Sequence, residues 1–388
     1  MDFYLGKDEL LKIANKHGTP LFVYCLKTLE DRAKELLGLK APFGFTPRYA
    51  VKANNHPEIV KIFNKLGLHF DASSGYEAKE LIDIGVPGSK ISLSSQQPAH
   101  NLEELCRQGV RYVATSMRQL ELFCNTSSQN ELGLRVNPGV GGGHNNRTTT
   151  GGVNSSFGLW HQYVVEAFDF AVKNNKKITT LHVHVGSGAD PEVWGEAMDA
   201  ALEVLHNLPD VVTLDIGGGF KIHRFGHEPE TNMRMIFAVF TERLNQYATK
   251  SGRKLHLEIE PGTWLVAHSG VLISEVVDIV NTGPQGYEFL RLNTGMNDIL
   301  RPSMYGAQHK VKVLNNRKKL QKYVVVGHNC ETGDILTPAN GDPESIASRA
   351  LNIASVGDKV AIYDVGAYCR SMSAKGYNSY PNALEVLI

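Results

Sequence analysis

The chain has no excess charge of either sign: 40 lysines and arginines face 40 aspartates and glutamates in 388 residues. A balanced surface offers no field to gather nucleic acid or an anionic membrane, so neither is an expected partner. Cysteine is scarce, five in all (Cys25, Cys106, Cys124, Cys330, Cys369), and no two form a C-x-x-C pair. That excludes a disulfide framework and gives no sign of a structural zinc site. No apolar run is long enough to span a bilayer, and Met1 to Lys7 lacks the basic and apolar stretches of a secretion signal, so a cytoplasmic location is expected. Internal repeats and low-complexity segments are absent as well.

What is present is a hydrophobic share of 42%, enough for a substantial core, in a chain longer than one core usually serves. Two domains are the natural expectation. Glu9, Leu10, Leu11, Ile13 and Ala14 have helical spacing within residues 8–17, Gly18-Thr19-Pro20 ends that helix, and Leu21-Phe22-Val23-Tyr24 reads as a strand. Leu26 to Leu39 returns to helix.

From there to residue 260, short apolar runs alternate with amphipathic stretches. The runs are Pro47 to Val51, Leu68 to Ala72, Ile91 to Leu93, Tyr112 to Ala114, Leu132 to Val136, Thr180 to Val185, Val212 to Ile216 and Leu255 to Ile259. Strand and helix in alternation predict a parallel sheet, and eight strands is the count that closes a (β/α)8 barrel. Helices are predicted between them, for example over Gly75 to Ile84 and Gln162 to Lys173. Past residue 260, Val271-Leu272-Ile273, Glu275 to Val280, Tyr323 to Val326 and Lys359 to Tyr363 are strand-like with few helical periods, which predicts a second, all-β domain. The polar stretch Gly143 to Gly152 reads as a long loop on the barrel rim.

The chemistry-bearing residues fall at strand ends. Arg48-Tyr49-Ala50-Val51 runs into Lys52, and Asn55 with Pro57 fits the cap and first turn of a following helix. A lysine on that rim, flanked by apolar atoms, loses hydration and becomes a better nucleophile toward an aldehyde. A surface lysine closing a strand would look the same locally. His182 and His184 share one side of their strand by period-two alternation, but no carboxylate or cysteine follows at ligand spacing, so no metal is expected. Asp215-Ile216-Gly217-Gly218-Gly219-Phe220 exposes successive N–H groups and lets a phosphate approach the backbone, although tight turns use glycine runs too. It has neither dinucleotide-fold spacing nor a P-loop lysine, so one phosphate monoester suits it best. Glu260, before Pro261-Gly262, places a carboxylate where a pyridinium proton could be held; pairing with a nearby base is the plain structural alternative.

With these residues in this order, the sequence resembles the barrel-type (fold type III) pyridoxal 5'-phosphate (PLP)-dependent amino-acid decarboxylases, among them the diaminopimelate, ornithine and arginine enzymes. Tyr49 to Asn54, His184 to Gly188, Asp215 to Phe220, Glu260-Pro261-Gly262, Cys330 to Asp334 and Asp364 to Tyr368 are similar to that family's signatures and span nearly the whole chain. Arg135 to Gly139, Thr150-Gly151-Gly152, Asn297-Asp298, Arg301-Pro302, Met304-Tyr305-Gly306, Ser371-Met372-Ser373 and Tyr377-Asn378-Ser379 are most similar to the diaminopimelate branch. The resemblance implies an alanine-racemase-like PLP-binding (β/α)8 TIM barrel over residues 28–260, with 1–27 and 261–388 forming a β-sandwich or barrel-like domain. It implies that Lys52 forms the Schiff base, that His184 stacks on the ring, and that Asp71, Ser187, Gly217, Gly218, Gly219, Glu260, Gly262 and Tyr368 bind the cofactor. It further implies that Cys330 protonates the carbanion, and that Arg301, Tyr305, Glu331 and Tyr368 face an amino-acid substrate. Cys330 and Glu331 would come from the partner subunit of a homodimer.

Two positions depart from the pattern. The family usually has arginine after Glu-Pro-Gly, where it helps hold a distal carboxylate; here Thr263 stands there, and a threonine cannot replace a bidentate arginine. Either Arg301, Arg370 or Arg147 holds the distal group, or the substrate is another amino acid. Ser156 precedes Phe157-Gly158 where lysine is usual. The expected activity is decarboxylation of meso-diaminopimelate to lysine. The alternatives are a related decarboxylase with a different substrate, an amino-acid racemase, or a regulatory relative without turnover.

Overall fold

The computed structural model describes residues 4–140, 151–184, 186–225 and 228–388. Its chain divides into two compact units, Glu30–Ile222 with Pro229–Leu265, and Met1–Leu29 with His223–Glu228 and Val266–Ile388. In chain order the strands up to residue 260 are β1 (Leu21–Tyr24), β2 (Phe45–Ala50), β3 (His69–Ala72), β4 (Ile91–Ser94), β5 (Arg111–Ala114), β6 (Glu131–Asn137), β7 (Leu159–Trp160), β8 (Lys177–His182), β9 (Thr213–Asp215) and β10 (His256–Ile259).

In the first unit β2, β3, β4, β5, β6, β8, β9 and β10 pair in parallel in that circular order, β10 returning to β2 through Leu257↔Phe45, so the sheet closes into an eight-stranded barrel. Only the two-residue β7 stands outside the ring, on β6. All eight predicted runs are barrel strands, with bounds shifted by a few residues; Val185, the predicted end of one, lies outside the described residues. The helix predicted over Gly75–Ile84 forms with those bounds because Ser74 accepts the Glu77 N–H at its start and Gly85, at φ +100°, ends it. The helix predicted from Gln162 begins instead at Val164, after a single tight turn over His161–Tyr163.

One expectation fails beside Lys52. The cap of the helix Pro57–Leu66 is His56, whose ring accepts the Glu58 N–H at 3.2 Å, and not Asn55. Asn54 Oδ1 accepts the His56 N–H at 3.1 Å and turns His56 into the capping position. Pro57 occupies the first turn as expected.

The barrel interior carries a charged layer. Arg48 meets Glu258 through Nε to Oε2 at 2.7 Å and Nη2 to Oε1 at 2.8 Å, and Arg111 bonds the same carboxylate. Burial pushes the Glu258 carboxyl up, but the attraction of Arg48 and then Arg111 prevails and leaves it at about 2.

The second unit is mostly sheet, on strands β11 (Gly270–Asn281), β12 (Glu288–Leu292), β13 (Val311–Val313), β14 (Leu320–Val326), β15 (Pro338–Ala339), β16 (Asp342–Ile346), β17 (Arg349–Asn352), β18 (Lys359–Tyr363) and β19 (Leu384–Leu387). The order β13-β18-β11-β12-β14-β17 forms one sheet, with β1 against β11 and β19 against β1. The two strand-like runs at 271–273 and 275–280 are one strand, β11, because Ser274 stays in the ladder and gives its hydroxyl to Asn293 Oδ1 at 3.0 Å. The helix Lys7–His17 packs Leu10 and Ala14 against Leu21, Val23, Val271 and Ile273, which anchors the N-terminal segment in this unit.

Candidate active site

The parallel barrel brings the carboxyl ends of its strands to one rim, and side chains distant in sequence become neighbours there. Lys52 stands in the 3-10 turn Val51–Ala53 just past β2. Asp71 lies in β3, His182 ends β8 with His184 two residues on, Asp215 ends β9, and Glu258 and Glu260 leave β10 on the same face. The desolvated lysine expected from the sequence is not found. Val51 and Ala53 are buried, but the tight turn carries the Lys52 side chain beyond the strand end and leaves it exposed.

Charge, more than dryness, sets its surroundings. Burial raises the Asp71 carboxyl, and Lys52, then Arg135, oppose that rise. Glu260 is raised well above the ordinary carboxylate range by burial first, then by the charges of Asp215 and Asp71, with Lys52 and Arg135 pulling the other way. Asp215 is pushed up to about 7 by burial and the neighbouring Glu258. Three carboxyls thus share the rim with two cations, and the barrel holds protons there that exposed carboxyls would release. His184 is held neutral by burial and by the Arg135 and Lys52 charges. Its Nδ1 accepts the Gly218 N–H at 2.9 Å, which fixes the ring's orientation and tautomer.

The glycine loop is a close-approach surface. Gly217 and Gly219 have φ of +73° and +111°, a region that favours glycine. A Cβ on Gly218 would run into the Glu260 carbonyl, and one on Gly219 into the Gly186 carbonyl. Two of the three N–H groups expected to meet a phosphate are engaged here: Gly217 donates to Asp215 Oδ1 at 2.8 Å, and Gly218 to His184. These residues fit PLP. Glu260 Oε1 is buried with no hydrogen-bond partner among the described residues, an acceptor suited to a ring N–H. Beside it lie an amine at the rim and a backbone cradle without side chains. Ser187 follows His184 on the loop after β8, and Gly262 is buried directly after Glu260-Pro261.

The arrangement also supplies the carboxylate the H-x-H motif lacked. Ligand atoms of His182, His184 and Glu260 lie within 4.8 Å of one another, His182 Nε2 standing 3.4 Å from Glu260 Oε2. Sequence spacing hid this because Glu260 arrives from another strand. A dication there would face the Arg135 and Lys52 charges and a carboxyl biased toward its protonated form, so the set is better suited to organic chemistry.

The remaining predicted residues belong to the sheet unit. Arg301 opens the short helix Arg301–Tyr305, and its Nη1 lies 3.2 Å from His309 Nε2. Tyr305 Oη reaches Met372 Sδ at 3.8 Å. Cys330 is exposed, with its backbone N–H on Asn378 Oδ1 at 2.7 Å. Glu331, also exposed, is lowered by the Gly333 N–H and then by the Tyr377 hydroxyl, 3.2 Å from Oε2. Tyr368 sits at φ +55°, uncommon for a bulky side chain, a strained setting of the kind concentrated at working positions. Of the three alternatives for a distal carboxylate, Arg370 is ion-paired with Glu385, its Nε 3.1 Å from Oε1, and Arg147 lies outside the described residues, as does most of the predicted 143–152 loop. Sequence reasoning missed two residues of this rim: Arg135 as the buried cation and Asp215 as the anchor of the glycine loop. Arg135 and Asp215 both lie inside motifs already singled out, and their strand-end positions were the available signal.

Residues 27–267 match the family described as "Pyridoxal-dependent decarboxylase, pyridoxal binding domain". A diaminopimelate decarboxylase of Buchnera aphidicola subsp. Baizongia pistaciae is 31% identical over 98% of this chain and 91% of its own length. A crystal structure of a diaminopimelate decarboxylase superposes with a TM-score of 0.92 at 29% identity, covering 100% of this chain and 93% of that one. The Helicobacter pylori diaminopimelate decarboxylase, crystallised with L-lysine, gives 0.86 at 25% identity, covering 99% and 94%.

Proposed function

We propose that this chain, which belongs to the pyridoxal-dependent decarboxylase family, removes one α-carboxylate of meso-diaminopimelate to leave lysine. The observation that carries the reading is the convergence of Lys52, Asp71, His184 and Glu260 on one barrel rim beside a glycine cradle, in a chain similar over nearly its full length to diaminopimelate decarboxylases.

When bound, PLP supplies an electron sink for the pair left behind as carbon dioxide departs. Lys52 would supply the amine for the cofactor's aldehyde, with the Asp71 and Glu260 carboxyls close enough to feel its charge. Glu260 Oε1 would accept the ring N–H and so hold the proton on the ring nitrogen. His184, neutral and tied to Gly218, would lie against the ring without adding positive charge. Gly217, Gly218, Gly219, Ser187, Gly262 and Tyr368 would hold the phosphate. Cys330 would return a proton to the α-carbon, with Glu331, Arg301, Tyr305 and Tyr368 on the substrate. The exposure of Cys330 and Glu331 supports a homodimer in which each subunit lends them to the other. We read residues 28–260 as the cofactor-binding domain and 1–27 with 261–388 as the second, the latter taking in His223–Glu228. Among the described residues no helix is long and apolar enough to cross a membrane, in keeping with work in the cytoplasm.

Thr263 favours a second reading, in which the same chemistry acts on another amino acid. Carbon dioxide release from the PLP-loaded protein, measured with meso-diaminopimelate, lysine, ornithine, arginine and glutamate, separates the two. Release confined to diaminopimelate is expected; release from one of the others and none from diaminopimelate would replace the first reading by the second.

A further inference from the structure

Cys330 stands at the tip of a loop whose base is fixed by one buried carboxylate, that of Asp334. Asp334 Oδ1 accepts the Met296 N–H at 2.7 Å, and Oδ2 accepts the backbone N–H and the Nδ2–H of Asn329 at 2.9 and 2.8 Å. The Gly327 N–H meets the Asp334 carbonyl at 2.9 Å, which closes residues 327–334 into a loop. Gly295 and Gly327 lie so near the Asp334 carboxylate that a Cβ on either would strike it. Asn297 Oδ1 completes the base, accepting Asn329 Nδ2–H at 3.0 Å and His328 Nε2–H at 2.9 Å.

The tip has no such core beneath it. Cys330 and Glu331 are exposed, and side chains from one segment of the same sheet unit, residues 377–380, reach them and their neighbour His328. Asn378 Oδ1 accepts the Cys330 N–H at 2.7 Å, the Tyr377 hydroxyl donates to Glu331 Oε2 at 3.2 Å, and the Tyr380 hydroxyl donates to the His328 carbonyl at 3.2 Å. The Tyr380 and His328 rings also stack, with centroids 3.6 Å apart and planes 8° from parallel. The segment holds an uncommon backbone to do this: Asn378 and Ser379 have φ of +50° and +61°, two consecutive residues with side chains in the left-handed region. A plain connection gains nothing from that conformation, whereas one that must aim three side chains at a single loop does.

We propose that Asn378 is a positioning residue for the decarboxylation: its side-chain carbonyl fixes the backbone of Cys330 and, with Asp334 at the base of the loop and Tyr377 and Tyr380 alongside, sets where the thiol stands. This role rests on the reading of Cys330 as the proton donor, since only then does a small displacement of its sulfur matter to turnover. A proton passes only across hydrogen-bond reach, and a tip free to drift by about 1 Å spends much of its time outside that reach. Asn378 acts through Cys330 and not on the substrate.

The test uses the full-length, PLP-loaded protein and the amino acid that the wild type decarboxylates, meso-diaminopimelate on the reading above. Asn378→Gly removes the acceptor at an exposed position and leaves a residue suited to φ +50°. It should lower kcat by about 10- to 100-fold, the scale of a misplacement of about 1 Å, and move KM by less than about threefold. Asn378→Asp keeps an acceptor and tolerates the same backbone, so it should recover most of the loss. The cofactor's absorbance band and a Tm within about 3 °C of the wild type report that both variants are folded. In a Cys330→Ala background, adding Asn378→Gly should lower kcat by less than about twofold, because a residue that acts through the thiol then has nothing to position. Unchanged kcat in Asn378→Gly, no recovery in Asn378→Asp, or equal losses in the two backgrounds would overturn the positioning role and leave Cys330 as the donor, provided that Cys330→Ala alone is slow. Full turnover in Cys330→Ala would overturn both.

Discussion

Gly219→Ala should separate cofactor binding from folding. Gly219 has φ +111°, which an L side chain rarely adopts, and an added Cβ would strike the Gly186 carbonyl, a backbone atom that cannot swing aside. The loop can relieve both strains by shifting when empty, but the cofactor needs it where glycine allows it. The strain therefore appears as lost affinity, about 1–3 kcal/mol for a residue forced into such a conformation, or about 5- to 150-fold in Kd. Gly252→Ala is the control: φ there is +73°, yet nothing lies within 4 Å of the added Cβ, and the residue ends a helix far along the chain from the loop. It should lower stability by about 1 kcal/mol and leave PLP affinity unchanged. Titrating apo-protein with PLP while following the absorbance band, alongside thermal unfolding, reads both effects. A Gly219→Ala protein that folds normally and binds PLP within twofold of the wild type would refute the cradle.

Arg48→Met breaks a buried pair and should destabilise the protein by about 3–5 kcal/mol, or about 6–20 °C in Tm, with retained Arg111 favouring the lower end. Because Glu258 is held at about 2 against 4.5, its contribution is complete above pH 4.5 and fades as pH falls toward 2. In Arg48→Met the Glu258 carboxyl rises and its contribution shrinks, so the less stable protein should unfold at higher pH, and acid unfolding midpoints identical to the wild type's would contradict it. Cys330→Ala should slow turnover by about 100-fold or more and leave the cofactor band in place, as expected when a proton donor alone is removed; full turnover would take Cys330 out of the mechanism.

The barrel was legible because its strands are short β-rich runs set between helical periods, and closure needs only their count. The positions of Lys52, His184 and Glu260 were legible because each lies at or just past the end of a strand-like run. Relations that exist only after closure were not. Arg48, Arg111 and Glu258 meet from β2, β5 and β10, and nothing in their local spacing pairs them. Glu260 reaches His182 and His184 across a gap in sequence that hid the trio. The cap moved from Asn55 to His56 through a side-chain bond from Asn54, one of several polar residues in a row that could each have capped the helix. Ser274 looked like a break between two strands and is a ladder member with a partner on the neighbouring segment.

Borohydride reduction of the PLP-loaded protein, followed by peptide mass spectrometry, tests the central claim most directly. The account predicts one cofactor fixed per chain, on the peptide that contains Lys52, with loss of the visible band. A folded protein that retains no cofactor, or fixes it on another lysine, would contradict it.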